Sequence, residues 1–484
     1  MSELYIKTTK GLKWSVLTLV IPKMISPIIT ITLAHILLPD AFGLISTAMI
    51  VISFSQMIWE AGLSQALIQT TEDVKKVANV VFWSNIGFGL IIYSLIFMSA
   101  PALALYFKSP DSLSVIRVLG LQILLLSFTT VQETLFSKEL NFRPLFNIRV
   151  VTAILSGIIS ITLALRGFNV WALVAGTLSG SVLSVILLWY LSSWRPSFKV
   201  EWSLAPTLFR YGSWVLMLSV MGWFIHWFDS ILVGRYFGVF DLGIYRTGAT
   251  VSMTIFSLVM MPIATVMFPS FSKLANDQEK LLKYYHEVNK IIMALVLPAA
   301  VGLFLVGRDF AVTIFGWHWE DLGTVVGILA LSEGLGHICG MNPLVYQAIG
   351  KPDIQPKISI FLMPVFAAMF WFVTPYGMVP LLWTKLILTI LITPINVYIL
   401  VRTLKVSPFY LYHQGKYIFI ALVFMAIAVI GVNWTMYYFT IYDPSTLLTI
   451  QVLVGMISYL GTLWFLDREF ILKIKSVIIL ALEK

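Results

Sequence analysis

Charged side chains are scarce in this chain of 484 residues, and cysteine is almost absent. Asp, Glu, Lys and Arg make up 11% of the residues, against about 25% in a soluble globular protein, so too few charges are present to coat a surface that faces water. Hydrophobic residues make up 59% and the mean hydropathy is +0.91, which indicates that most of the surface faces lipid. The single cysteine, Cys339, excludes an intramolecular disulfide and a thiolate metal cluster.

The sequence also lacks the motifs of common enzyme active sites. It has no Gly-rich phosphate loop that ends in Gly-Lys-Ser/Thr, no GxSxG elbow, no HExxH pair and no acidic DxD pair on a loop. No segment between its apolar runs exceeds about twenty residues, which leaves no room for a soluble catalytic domain. These absences predict a membrane transporter that needs no cofactor and no metal, rather than an enzyme.

Apolar runs of about 20 residues predict transmembrane helices, and the chain contains fourteen of them. Runs such as IIYSLIFMSA do not alternate with a period of two, so they do not fit the strands of a barrel. The predicted fold class is therefore an all-α polytopic membrane protein. Its predicted spans are 12–36, 41–63, 78–100, 114–136, 146–166, 169–191, 209–234, 242–268, 287–306, 322–346, 357–374, 379–401, 417–439 and 447–466.

The positive charges follow the membrane topology. With the N-terminus inside, 24 of the 32 Lys and Arg residues fall on the cytoplasmic side and only four fall in outer loops. Because cytoplasmic loops carry an excess of Lys and Arg, this ratio predicts that both termini are cytoplasmic. The net charge of +9 is thereby explained without a nucleic-acid partner.

A shift of 200 residues brings two stretches of the chain into register. Residues 11–58 and 211–258 then match at seven positions, among them Gly43 with Gly243. Each stretch holds a span, a tight turn and a second span, and six spans separate the two copies, so both enter the membrane in the same direction. We predict a parallel repeat of two six-helix lobes, 1–200 and 201–405, around a central cleft, with two C-terminal helices and a cytoplasmic tail at 406–484.

A charged side chain at the centre of a bilayer costs at least about 2.5–3.5 kcal/mol, so Lys23 requires an explanation. It lies near the middle of the first span, between Pro22 and Pro27. Two prolines weaken the helix and free backbone carbonyls to line a cavity, which favours a functional role. Snorkelling towards an interface is the alternative.

Two pairs of ionisable residues each lie on one face of a predicted span. His226 and Asp229 are three residues apart on span 7, and Glu333 and His337 are four apart on span 10. A carboxylate beside an imidazole exchanges protons near neutral pH, so both pairs are candidate sites for a coupling ion. A purely structural hydrogen-bonded pair is the alternative in each case.

Four other charged residues lie near the ends of predicted spans. Arg246 and Lys385 each lie about one turn inside an outer end, where a role in a cavity and snorkelling explain them almost equally well. Glu60 and Glu133 lie near inner ends, and we predict that they anchor those ends at the interface.

Several longer motifs resemble the polysaccharide transporter family of the multidrug/oligosaccharidyl-lipid/polysaccharide exporter superfamily. They are HILLPDAFGLIST and WEAGLSQALIQ around span 2, FSKELNFRPL after span 4, FDSILVGRYFGVFDLGIYRTG between spans 7 and 8, and AIGKP after span 10. The motif between spans 7 and 8 supports a set of family-like positions, namely Asp229, Gly234, Gly238, Gly243 and Tyr245. The resemblance implies a Wzx-type flippase that carries lipid-linked oligosaccharide repeat units to the outer face of a bacterial inner membrane.

An undecaprenyl-pyrophosphate-linked sugar requires a cationic, hydrated cleft for its head group and an opening to lipid for its tail. The cationic candidates are Lys23, Arg246 and Lys385, and the coupling-ion candidates are Asp229, His226, Glu333 and His337. The alternative is an ion-coupled multidrug or cation antiporter of the same superfamily, which requires a mainly acidic cavity. The expected partners are the lipid-linked oligosaccharide, membrane lipids and proteins of polysaccharide polymerisation and assembly, and the expected oligomeric state is a monomer.

Overall fold

The computed structural model describes residues 18, 21–60, 62–404, 409–438 and 443–472, and these contain helices and turns but no β-strand. Seventeen helices of seven or more residues follow one another along the described part of the chain. They are α1 (Ile21–Ala34), α2 (Pro39–Glu60), α3 (Leu63–Gln69), α4 (Val74–Tyr106), α5 (Ser112–Ser127), α6 (Thr130–Lys138), α7 (Phe142–Leu165), α8 (Val170–Leu191), α9 (Ala205–Phe237), α10 (Val239–Leu274), α11 (Gln278–Phe315), α12 (Leu322–Gly336), α13 (Asn342–Ala348), α14 (Ile354–Val373), α15 (Met378–Leu404), α16 (Phe409–Tyr438) and α17 (Pro444–Leu466).

These helices confirm the predicted fold class. Twelve stretches of the described chain are long and apolar enough to cross a membrane, and the bent pair α5 and α6 would make a thirteenth. The first predicted span, 12–36, lies partly outside the described residues, and its described part contains the shorter apolar helix α1. The chain is therefore a multi-pass membrane protein with about the predicted number of spans.

Three predicted spans are interrupted in the structure. Helix α2 ends at Glu60 before α3 begins, α5 and α6 bend by 44°, and α12 gives way at Gly336 to a 3₁₀ turn that leads to α13. At the α5–α6 bend the hydroxyls of Thr129 and Thr130 both donate to the carbonyl of Leu126, at 3.0 Å each. Such side-chain bonds compete with the helix ladder and bend it.

The chain divides into two compact units, Met1–Arg246 and Thr247–Lys484, called the first and the second unit below. In the first unit, α2, α4, α5 and α8 share a core in which Ala48, Ala100 and Ala172 are completely buried. Lipid provides little hydrophobic drive between helices, so small residues that let helix backbones approach supply the packing. The lobe boundaries at 200 and 405 stay a prediction.

In the second unit, polar contacts attach the C-terminal helices to α11. Lys290 and Asp467 form an ion pair of 2.6 Å, with both side chains less than one-fifth exposed. The Tyr459 hydroxyl donates to the Ala294 carbonyl at 2.9 Å, near the middle of α17. Towards the other end, the amide of Gln451 donates to Asp309 at 2.9 Å. Helix α17 is thus bound to α11 along most of its length.

Candidate functional site

Asp229, on α9, is the centre of a buried polar cluster in the first unit. Its side chain is only 3% exposed. The hydroxyl of Tyr245, on α10, donates to Oδ2 of Asp229 at 2.7 Å. The backbone N–H and the hydroxyl of Ser230 donate to Oδ1 at 2.6 and 3.1 Å. A buried carboxylate is costly unless hydrogen bonds replace its water, and these three bonds meet that need.

Arg246 joins the same cluster from α10. Its guanidinium carbon lies 3.9 Å from the centroid of the Trp227 ring, and Nη1 donates to the Ser230 hydroxyl at 3.4 Å. The negative charge of Asp229 attracts the Arg246 guanidinium. The structure therefore places a predicted substrate cation and a predicted coupling-ion residue in one site. An aromatic face below a guanidinium fixes its plane and partly replaces its hydration.

His226 is half-buried one helical turn before Asp229. Its ring meets Trp227 edge to face, with ring centroids 5.4 Å apart and an interplanar angle of 88°. Trp227 thus contacts both the His226 ring and the Arg246 guanidinium. The proton exchange between His226 and Asp229 stays a prediction.

A close helix crossing holds the start of α10 in place. A Cβ on Gly243 would overlap the carbonyl oxygen of Pro39, and a Cβ on Gly43 would overlap the carbonyl oxygen of Val239. The crossing is reciprocal, because each glycine contacts the residue four positions before the other glycine. The two glycines are 200 residues apart, and so are Pro39 and Val239. The turn between α9 and α10 is made by Gly238, whose φ is +91°. Glycine is thus required at these family-like positions by close approach and by backbone conformation.

Lys23 and Lys385 complete the predicted cationic set. Lys23 is half-buried in α1, and α1 remains helical through Pro27. Lys385 is half-buried on α15, which belongs to the second unit. The cationic cleft formed by Lys23, Lys385 and Arg246 stays a prediction.

Glu333 and His337 lie where α12 ends. The negative charge of Glu333 acts on the His337 ring, and that ring packs edge-on against Phe256 with centroids 5.8 Å apart. His337 begins the 3₁₀ turn that interrupts the predicted span. The neighbouring Gly334 packs tightly on Ala300 of α11, in agreement with the helix-packing role of such glycines.

Sequence reasoning missed a second polar region in the first unit. Glu60, predicted to anchor a helix end, lines a cavity of about 220 Å³ with Gln56 and Gln65. The signal available in the sequence was the spacing of Gln56 and Glu60, which places two polar side chains on one face of an otherwise apolar helix.

Comparison with known proteins identifies the family to which the chain belongs. A model of the family described as polysaccharide biosynthesis protein matches residues 32–323, more than half of the chain. The chain is 25% identical to the succinoglycan biosynthesis transport protein ExoT of Rhizobium meliloti, over 71% of this chain and 69% of that protein. It is 26% identical to the lipopolysaccharide biosynthesis protein WzxC of Escherichia coli, over 73% of each. It is 24% identical to the teichuronic acid biosynthesis protein TuaB of Bacillus subtilis, over 84% of this chain and 85% of that one.

Solved structures show the same fold. The inward closed conformation of the lipid II flippase MurJ superposes with a TM-score of 0.74 at 15% identity, over 95% of this chain and 100% of that one. An inward-facing multidrug resistance transporter of the MATE family gives a TM-score of 0.59 at 16% identity, over 81% of this chain and 98% of that one. At these identities the likeness concerns the fold alone.

Proposed function

Because the chain belongs to the polysaccharide biosynthesis protein family, within the exporter superfamily that its sequence resembles, we propose that it flips lipid-linked polysaccharide repeat units across the bacterial inner membrane. The protein is a membrane transporter and not an enzyme. Three relatives are named for succinoglycan, lipopolysaccharide and teichuronic acid biosynthesis, so a sugar polymer is what their names share.

The proposed substrate is an undecaprenyl-pyrophosphate-linked repeat unit. It enters from the cytoplasmic face and leaves at the outer face, with both termini of the protein in the cytoplasm. The proposed mechanism is alternating access. The sequence has no phosphate loop for ATP hydrolysis, so directional transport is proposed to draw on an ion gradient or on removal of the product outside. Proteins of polysaccharide polymerisation and assembly receive the product.

The observation that supports the proposal most directly is the position of Arg246, whose guanidinium is held inside a membrane span. A guanidinium inside a membrane span requires a partner, and here the ring of Trp227 and the hydroxyl of Ser230 hold it in a fixed plane. A planar guanidinium with several N–H donors binds phosphate oxygens in pairs, so it suits a pyrophosphate linker better than an ammonium does. Lys23 and Lys385 are proposed to add charge to the same substrate.

Coupling is proposed to use Asp229. The carboxylate lies in the cluster that holds Arg246, so a proton or a sodium ion bound at Asp229 changes the charge that Arg246 experiences. His226 beside it, and Glu333 with His337 in the second unit, are the further coupling candidates. A cation antiporter would also use a buried carboxylate such as Asp229, but the adjacent Arg246 offsets the negative charge that a cationic drug requires.

The test is complementation in the bacterium that carries this gene. Deletion should abolish its surface polysaccharide and cause lipid-linked repeat units to accumulate. The wild-type gene should restore the polysaccharide, and Arg246→Gln should not, at matched protein level. Arg117→Gln is the control, because the Arg117 guanidinium also lies on an aromatic ring, 4.1 Å from the centroid of Phe97, but outside the Asp229 cluster.

Two results would contradict the proposal. The first is normal surface polysaccharide after deletion of the gene. The second is ethidium efflux that depends on Asp229 in cells whose polysaccharide is unaffected, which would favour the cation antiporter.

A further inference from the structure

The cavity at Glu60 lies in the first unit, between α2, α3 and α9. Its polar lining consists of one carboxylate, two amides and two hydroxyls, from Glu60, Gln56, Gln65, Ser53 and Ser219. Neither lysine nor arginine occurs among the described residues that line it. Its volume of about 220 Å³ holds roughly seven waters, at about 30 Å³ each.

A broken helix opens this cavity. Helices α2 and α3 form one candidate span, Pro39–Gln69, yet α2 ends at Glu60 and Gly62 has a φ of +69°. A Cβ on Gly62 would lie 2.8 Å from the Val215 Cβ and 2.9 Å from the Gly212 Cα, so the break lies directly against α9. Within a membrane, non-helical backbone persists only where protein buries it or where it lines a hydrated cavity. Exposed polar side chains of Gln65 and Ser219 at the same place favour the hydrated cavity.

One wall of the region is aromatic. Trp223 follows Ser219 by one turn of α9, and its ring N–H donates to the hydroxyl of Ser53, a cavity residue, at 2.9 Å. Phe54 lies against the Trp223 ring, with centroids 4.7 Å apart. The indole is therefore held beside the cavity in a fixed orientation.

We propose that this cavity binds a sugar ring of the lipid-linked repeat unit through its neutral hydroxyl groups. A sugar ring presents hydroxyls at its edge and C–H groups on its faces. A carboxylate accepts hydrogen bonds from sugar hydroxyls, an amide group both donates and accepts them, and an indole face packs on C–H groups. The carboxylate of Glu60 repels a pyrophosphate, so the linker binds elsewhere. The assignment rests on the proposed function, since it names the part of that substrate which this cavity takes.

The first experiment measures protection of a thiol in the cavity. Ser219→Cys is made in a Cys339→Ala background, purified into lipid nanodiscs and alkylated with N-ethylmaleimide. The probes are the oligosaccharide released by mild acid from the host's lipid-linked repeat unit, and undecaprenyl pyrophosphate without sugar. The oligosaccharide should slow alkylation severalfold and the sugar-free lipid should not. Met217→Cys is the matched control, because Met217 lies on the opposite side of α9 and is 49% exposed.

The second experiment removes the sugar contacts. Glu60→Gln and Gln56→Leu should each abolish protection of the Ser219→Cys thiol and reduce surface polysaccharide in the deletion host. Glu72→Gln should do neither, because Glu72 is exposed and does not line the cavity.

The two proposals fail in distinguishable ways. A wild type that restores surface polysaccharide but shows no protection by the oligosaccharide overturns the sugar site alone. Equal protection by sugar-free undecaprenyl pyrophosphate also overturns it, because the cavity would then take the linker. A wild type that fails to restore polysaccharide overturns the proposed function, and the protection measurement still decides whether the cavity binds sugar.

Discussion

Replacing Gly243 by alanine should force α2 and α10 apart and destabilise the protein, whereas the same change in an open part of α9 should not destabilise it. An added Cβ at Gly243 would lie 2.9 Å from the carbonyl carbon of Pro39, where ordinary contact is 3.4–4 Å. The neighbour is backbone and no rotamer change can relieve the overlap. The helices must therefore separate by roughly half an ångström or more.

The expected cost follows from that displacement. Overpacking that moves backbone costs about 1–3 kcal/mol, and this outweighs the gain of up to about 1 kcal/mol that alanine brings to a helix. Gly222→Ala is the control, because a Cβ there meets nothing within 4 Å. It should leave the free energy of unfolding unchanged or raise it.

The assay is the apparent Tm of the purified protein in detergent. Gly243→Ala should lower it by roughly 1–3 °C, while Gly222→Ala should not lower it. Gly43→Ala should behave like Gly243→Ala, and the double variant should lose less than the sum, since the first alanine already opens the shared crossing. A Gly243→Ala protein with unchanged Tm would show that the two helices do not cross at this distance.

Four further outcomes are expected. Lys23→Ala should abolish complementation at normal protein level. Lys23→Arg should keep part of it, because the charge survives but its geometry changes. Normal surface polysaccharide from the alanine variant would show that Lys23 is a snorkelling residue. Asp229→Asn should insert normally but make transport insensitive to an imposed proton or sodium gradient, and a full response in vesicles would refute its coupling role. Asp467→Asn should lower the free energy of unfolding by about 1–3 kcal/mol, because it leaves Lys290 without its partner in a mostly buried pair; an unchanged Tm would contradict this. Hydrogen bonds from Ser445 and Thr446 lower the pKa of Asp443 to about 2. The stability from this capping is therefore complete above the unfolded pKa near 3.8 and is lost as the pH falls through 2. Asp443→Ala should lower Tm at pH 7 and by much less at pH 2, and an equal loss at both pH values would contradict this.

The helices were predictable because lipid leaves a spanning segment few choices. A run of apolar residues long enough to cross the membrane must satisfy the hydrogen bonds of its own backbone, which in this chain means a helix.

The ends of the helices were less predictable. The apolar run 78–100 becomes helix Val74–Tyr106, because Asp73 caps the N-terminus by accepting from the Lys75 N–H at 2.9 Å. Hydropathy locates the part of a helix that lies in lipid, whereas caps locate the ends of the helix.

The candidate sites were only partly predictable, because their partners come from different helices. Asp229 was identified as an ionisable residue in a span, but its bond to Tyr245 crosses a turn and has no periodic spacing. The Glu60 cavity was missed because it depends on a break. Gln56 and Glu60 share a helix face, while Gln65 reaches the same cavity only because the helix is interrupted before Leu63. A helix wheel drawn through the whole span assumes one continuous register, so it does not predict this convergence.

The electrostatic attraction between Asp229 and Arg246 couples ion binding to substrate binding in a way that neither residue implies alone. If Arg246 binds the pyrophosphate and Asp229 binds the coupling ion, as proposed, then the carboxylate and the substrate compete for one guanidinium. Neutralising Asp229 with a proton or a sodium ion strengthens pyrophosphate binding, and pyrophosphate binding strengthens ion binding by the same factor, because linkage is reciprocal. Substrate and ion then favour each other's binding through one charge cluster, and no long-range pathway through the protein is required. The reciprocal dependence also gives a role to the aromatic ring that holds the guanidinium. Arg246 must stay in place when Asp229 is neutral, and the ring of Trp227 provides a contact that does not depend on the charge of Asp229.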